Sequence, residues 1–127
     1  MPDYFTVEEA RTALQALLPL MDEIMAIRDT ILRQQPEHWS IVQSSAGNGG
    51  SAVASRLVKD FDRLDLLVHR VQDAGAVFKD INLGLLDFPA WRDGREVCLC
   101  WMYGEPDLEY WHELEAGFAG RQPIDTF

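Results

Sequence analysis

One histidine lies within the most acidic stretch of the chain, and this combination could support two kinds of chemistry. Residues 104–115 contain no lysine or arginine and five carboxylates, namely Glu105, Asp107, Glu109, Glu113 and Glu115. A histidine with neighbouring carboxylates, here His112, can bind a divalent metal, with Glu105 as a further ligand, or act as a general acid or base. A carboxylate from elsewhere, such as Asp87, would have to complete either site. The alternative is a solvated acidic edge with one half-buried histidine.

The two cysteines supply a second possible metal set. Cys98 and Cys100 point the same way if they lie on one strand, and His112 from the next strand would be a third zinc ligand. The sequence offers no evident fourth ligand. The alternative is that both thiols are buried as small apolar side chains, which is common for cysteine.

An arginine near the end of the chain is a candidate for anion binding. Arg121 follows two glycines in the segment 117–121, where the backbone can approach a ligand and the guanidinium could bind a carboxylate or phosphate. The alternative is an ion pair between Arg121 and an acidic neighbour such as Glu115, which would fix the tail.

Aromatic residues crowd into the second half of the chain and could line a ligand pocket. Such a cluster is nevertheless more typical of a core between a small sheet and helices. Trp101 and Trp111 are the candidates for binding among its members, which are Trp91, Trp101, Tyr103, Tyr110 and Trp111.

Helical periodicity starts close to the N-terminus. Thr6 and Glu9 form a capping box, and apolar residues then recur at helical spacing. The pattern predicts a helix over 7–33, with a kink or a break near Pro19 because proline removes one backbone hydrogen bond.

A second apolar stripe steps by three and four residues from Val53 to Val71, and Gly75 is a suitable end for its helix. The two helices predict an antiparallel hairpin over 6–75. The connection 34–50 ends in a glycine-rich run and is either a flexible linker or a binding loop.

After residue 75 the pattern changes to short runs rich in strand formers. Asp93-Gly94 between two such runs is typical of a type I′ hairpin turn. Residues 96–103 are the strongest strand, and 108–114 alternate as a strand does, although one helical turn fits nearly as well. We therefore expect a single α+β domain over 1–127, in which 76–127 form a small antiparallel sheet of three to four strands and an irregular tail.

Composition restricts the partners of the protein. Eleven basic and 21 acidic residues among 127 give a net charge of −10, which repels phosphate backbones and anionic lipids, so we expect neither nucleic-acid nor membrane binding. The apolar stripes of the two helices predict a homodimer, because one small sheet would not cover them. Free thiols and an N-terminus without an export signal predict a cytoplasmic protein.

Motifs spread along the chain resemble the bacterial family called domain of unknown function 2203. They are Tyr4 to Ala10, Gly47 to Gly50, Lys79-Asp80, Gly84 to Pro89, Arg92 to Glu96, Leu99 to Trp101, Gly104 to Pro106, Trp111-His112 and Gly117 to Pro123. Members usually carry an aromatic residue in place of Cys98, so the family pattern would supply only Cys100 to a zinc site. The resemblance implies a small bacterial cytoplasmic protein and no particular reaction; its motif positions that could bind a ligand are Asp87, Glu105, His112 and Arg121.

Two functional hypotheses follow. The first is a non-catalytic binding or homodimeric assembly module, whose small-molecule or protein partner the sequence does not identify. The second is a small metal-assisted or hydrolytic enzyme, with His112 as ligand or base, Asp87 and Glu105 as ligands or orienting groups, and Arg121 as the anion clamp. Convergence of these side chains in one cleft favours the enzyme; dispersal argues against it.

Overall fold

The computed structural model describes residues 4–34 and 58–127. Within these ranges, two helices precede an antiparallel sheet of five strands in the order β1-β2-β3-β4-β5, so the expected α+β class is confirmed. The helices are α1 (Val7–Gln34) and α2 (Val58–Asp73), and the strands are β1 (Val77–Asp80), β2 (Leu85–Arg92), β3 (Arg95–Met102), β4 (Tyr110–Glu113) and β5 (Gln122–Pro123). Two 3-10 turns, Phe118–Gly120 and Ile124–Thr126, flank β5.

The first helix begins at the predicted capping box. The Thr6 amide donates to Glu9 Oε1 at 2.9 Å, and the Glu9 amide donates to Thr6 Oγ1 at 3.1 Å. The helix then continues through Pro19 to Gln34 without the break that the proline allowed. A kink at Pro19 remains a prediction.

The second helix packs against the first with its apolar stripe. Phe61, Leu64 and Val68 are buried, and Arg63 forms an ion pair with Glu23 of α1 at 2.5 Å. The part of the predicted helix before Val58 lies outside the described residues. The predicted connection 34–50 also lies outside them, except for residue 34.

The strands confirm the hairpin turn and correct the strand count. Asp93 and Gly94 have φ angles of 51° and 79°, as a type I′ turn requires. Residues Tyr110–Glu113 form a strand and not a helical turn. The expected three to four strands are five, because β5 lies in the predicted irregular tail; two residues are too short to show a periodicity.

The two faces of the sheet have different environments. Side chains that alternate along the strands join the helices in one hydrophobic core; they are Leu86, Phe88, Ala90, Val97, Leu99, Trp101 and Trp111. The residues between them, among them Asp87, Cys98, Cys100 and His112, point to the opposite face, because successive strand residues alternate.

The helical stripes are covered within a single chain where the structure describes them. Leu14, Met21 and Ile24 of α1 and Leu64 and Val68 of α2 are each at most 3% exposed. The described part of the stripes therefore leaves little apolar surface for a second copy, and the homodimer stays a prediction. None of the helices in the described ranges 4–34 and 58–127 is long and apolar enough to cross a membrane.

Candidate metal centre

Three neighbouring strands bring a carboxylate, two thiols and an imidazole to the sheet face that points away from the helices. Asp87 of β2 is paired with Cys100 of β3, and Cys98 of β3 is paired with His112 of β4. All four side chains are buried, with exposed fractions of 0–4%. Buried ionisable groups need partners, and here they are partners of one another.

The histidine is oriented by two contacts. His112 Nδ1 lies 2.7 Å from the carbonyl oxygen of Glu113, and His112 Nε2 lies 3.1 Å from both carboxylate oxygens of Asp87. A carbonyl oxygen only accepts hydrogen bonds, so Nδ1 carries a hydrogen and Nε2 faces the acid. The hydrogen bond to Asp87 raises the pKa of His112, while burial opposes the shift. Without a metal, the two residues thus form a buried hydrogen-bonded pair that shares one proton.

Cys100 completes a compact group of three possible metal ligands. A carboxylate oxygen of Asp87, the sulfur of Cys100 and a ring nitrogen of His112 all lie within 4.8 Å of one another. Burial raises the pKa of the Cys100 thiol to about 12, and the neighbouring Asp87 carboxylate acts in the same direction. The thiol is therefore neutral near pH 7 unless a cation binds, and a bound metal would deprotonate it.

The same residue types could form a nucleophilic triad, but their arrangement differs from one. In such a triad the imidazole lies between the thiol and the acid and faces each with one nitrogen. Here one nitrogen of His112 faces the acid and the other a backbone carbonyl. A thiol pKa near 12 also opposes the thiolate that a nucleophile requires.

Arg121 lies beside Cys100 and is already paired. Its Nη2 donates to Glu105 Oε1 at 2.6 Å and to the Cys100 carbonyl at 3.4 Å, and its guanidinium lies 3.9 Å from the centre of the Tyr110 ring. The partner is thus Glu105 and not Glu115. Glu105 and Arg121 are thus paired with each other, and their roles as metal ligand and anion clamp stay predictions.

The two candidate tryptophans lie in the hydrophobic core. Trp101 and Trp111 are 1% and 2% exposed, and their indole nitrogens donate to the Glu105 carbonyl and to the Thr126 hydroxyl. A surface depression of about 340 Å³ lies elsewhere, and its lining consists of Arg11, Glu109, Tyr110, Pro123, Ile124 and Asp125. Both tryptophans lie on the helix-facing side of the sheet, whereas Asp87 and His112 lie on the opposite side.

The acidic stretch 104–115 is largely neutralised by arginines from elsewhere in the fold. Besides the pair that includes Glu105, Arg95 binds Glu113 through two hydrogen bonds of 2.7 and 2.6 Å, and Arg11 lies 3.4 Å from Asp107. Three of its five carboxylates thus have an arginine partner. These ion pairs reduce the net negative charge of the edge.

The sequence suggested two candidate ligand sets that share only His112, although one signal could have joined them. A two-residue turn at Asp93-Gly94 fixes the register of the flanking strands. Counting outward from that turn places Asp87 directly opposite Cys100, as observed.

The family comparison agrees with the resemblance noted in the motifs. A family model described as "Uncharacterized conserved protein (DUF2203)" matches residues 3–124. The chain belongs to this family. No curated protein and no solved structure matches the chain. Membership in DUF2203 assigns no reaction, so the function has to be argued from the buried cluster.

Proposed function

We propose that this DUF2203 member is a non-catalytic binding module for a divalent transition metal, with Asp87, Cys100 and His112 as ligands. The observation that carries the proposal is the convergence of these three side chains within 4.8 Å in a buried position. An oxygen, a sulfur and an imidazole nitrogen are the ligand types of zinc and related ions. Magnesium and calcium prefer oxygen ligands throughout, so they fit poorly.

The orientation of His112 supports this assignment. Histidines that bind metals commonly donate their second ring hydrogen to a carbonyl or carboxylate, which fixes the ring and the tautomer. The Glu113 carbonyl accepts that hydrogen here at 2.7 Å. Nε2 is thereby directed towards Asp87 and Cys100.

The charges of the cluster also suit a divalent ion. In the metal-free protein a proton is shared between His112 and Asp87, and another is on Cys100. A divalent cation that replaces these two protons leaves the net buried charge unchanged. Occupancy therefore avoids the large cost of an uncompensated charge in the interior.

Metal titration of protein purified without a histidine tag tests the proposal. We expect one tightly bound Zn²⁺ or Co²⁺ per chain, and the Co²⁺ complex should show a thiolate-to-cobalt charge-transfer band in the near ultraviolet. His112→Asn and Cys100→Ser should each lower the affinity by more than about 100-fold, beyond the 10–100-fold typical of residues that only support a ligand.

Glu105→Gln is the matched control for these variants. Glu105 is a mostly buried carboxylate on the loop after β3, and its partner is Arg121 and not a member of the cluster. We expect this variant to keep the metal affinity of the wild type. Wild-type affinity in Cys100→Ser, or loss of binding in Glu105→Gln alone, would contradict the proposed ligand set.

Three expectations about partners and location accompany this proposal. We propose a cytoplasmic protein that binds no nucleic acid, because of its charge and its free thiols. Homodimeric assembly is tested by sedimentation at micromolar concentration, where a monomer would contradict it.

A further inference from the structure

We propose that Cys98 is the fourth ligand of this centre, so that Cys98, Cys100, Asp87 and His112 enclose the ion with no open coordination position. This inference rests on the proposed metal binding and specifies its geometry. It makes the centre a structural metal site and not a Lewis-acid catalyst, because catalytic zinc sites keep one position for water or substrate.

The strand register places Cys98 beside the other ligands. Asp87 and His112 lie on β2 and β4, two strand spacings apart, which is roughly 9–10 Å between backbones. Their side chains nevertheless meet at 3.1 Å, so they meet above the central strand β3. The residues of β3 on this face at that level are Cys98, opposite His112, and Cys100, opposite Asp87.

Cys98 shares the environment of Cys100 in detail. Its side chain is 4% exposed and lies outside the hydrophobic core cluster that contains its neighbours Val97 and Leu99. Burial and then the Asp87 carboxylate raise the pKa of both thiols to about 12. Asp87 thus acts on both thiols as well as on the imidazole.

Cys98 has to move to join the other three ligands. The compact group within 4.8 Å contains only Asp87, Cys100 and His112, so the Cys98 sulfur lies farther than 4.8 Å from at least one of their ligand atoms. A cysteine sulfur changes position by rotation about one bond between staggered wells. We infer that this rotation turns the Cys98 sulfur towards a metal beside Asp87.

One cation acts on the second thiolate. Two thiolates and one carboxylate around a divalent ion leave one negative charge. Lys79 of β1 acts electrostatically on Cys98 and favours its thiolate, while Glu96 opposes it. Arg121 acts on Cys100, but its charge is already paired with Glu105.

The test counts the sulfurs on the metal in the full-length protein. X-ray absorption of the zinc-loaded wild type should show two sulfur atoms at about 2.3 Å and two lighter atoms. One sulfur would overturn the inference while leaving the proposed metal binding intact. This measurement needs no variant, so it does not depend on how a substituted protein folds.

Cobalt spectra of two variants provide the matched comparison. Cys98→Ser and Cys100→Ser remove one thiol each from the same strand face. If both sulfurs are ligands, each variant should keep about half of the wild-type thiolate-to-cobalt band, and Cys98→Ser should lower the Zn²⁺ affinity at least tenfold. A Cys98→Ser protein with the full band and wild-type affinity would overturn the fourth ligand. Absence of any band in the wild type would instead overturn the metal site as a whole.

Discussion

The two faces of the sheet are built from the same strands and both have a buried centre, yet they have opposite chemistry. Phe88 and Leu99 are fully buried on the helix-facing side. Their chain neighbours Asp87 and Cys100 are just as inaccessible on the other side. Burial alone therefore does not distinguish the two faces. Side chains on the helix-facing side need apolar neighbours, whereas Asp87 needs a polar or charged partner.

The energetic consequences of the two faces also differ. On the helix-facing side, apolar surface that is removed from water stabilises the fold by about 25 cal/mol per Å². On the opposite side, a buried ion pair contributes little in comparison with apolar residues of the same size. Stability alone thus explains Phe88 but not the pair of Asp87 and His112, which is why we connect the pair with ligand binding.

The largest loss of stability is expected on the helix-facing side. Phe88→Ala removes a fully buried ring that packs edge-on against Phe5 at 5.3 Å between ring centres. The cavity and the lost apolar contact should lower the free energy of unfolding by about 3–5 kcal/mol, as measured by urea denaturation. A loss below about 1 kcal/mol would show that this face is not the main core.

Removing one member of the ion pair should cost nearly as much for a different reason. His112→Ala leaves the Asp87 carboxylate buried without its partner, which is expected to destabilise the metal-free protein by about 3–5 kcal/mol. Urea denaturation measures this loss, and added Zn²⁺ should not reverse it. Recovery with zinc would indicate that His112 is not a ligand.

Replacing the whole pair distinguishes stability from binding. In the double variant Asp87→Val with His112→Leu, no buried charge is left alone, so the free energy of unfolding should return to within about 1 kcal/mol of the metal-free wild type or exceed it. Metal binding should be lost completely. If the double variant is as unstable as His112→Ala, the pair of Asp87 and His112 itself stabilises the fold. That result would contradict the expectation that this face contributes little stability.

The thiols provide a smaller and purely chemical distinction. With a pKa of about 12 for Cys98 and Cys100, only on the order of one thiol in ten thousand is ionised at pH 8. We expect the native metal-free protein to react very slowly with a disulfide reagent, and both thiols to react at once in urea. Fast reaction of the folded protein would show that this face is open to solvent.

The smallest effect is expected at an exposed ion pair between the helices. Arg63 holds the pKa of Glu23 below its usual value, mainly by a hydrogen bond. This stabilisation is therefore fully present above the unfolded-state pKa, about 4.3, and is lost as the pH falls through the lower folded-state value. Glu23→Gln should slightly lower the urea midpoint at pH 7 and leave it unchanged well below both pKa values; a difference that persists in acid would require another cause.

Local elements were predictable because their signals are local. The capping box of Thr6 and Glu9 and the turn at Asp93-Gly94 both depend on residues a few positions apart, and both are observed. Pro19 shows the limit of such rules, since α1 is continuous in spite of the hydrogen bond that proline cannot donate. The strand β5 has only two residues and exists because β4 offers an edge to pair with.

The sequence by itself determined the α+β class and the alternation that puts Asp87 and Phe88 on opposite faces. It also pointed to each candidate ligand individually. The turn at Asp93-Gly94 also fixed Asp87 opposite Cys100, and only the tertiary structure decided that His112 meets them. The pairing of β3 with β4 runs through residues 103–109, a connection too long for its turn chemistry to fix the register, so the position of His112 above β3 was open. The pairing of Arg121 with Glu105 was likewise decided by packing, because long charged side chains choose among several partners only once the backbone has placed them.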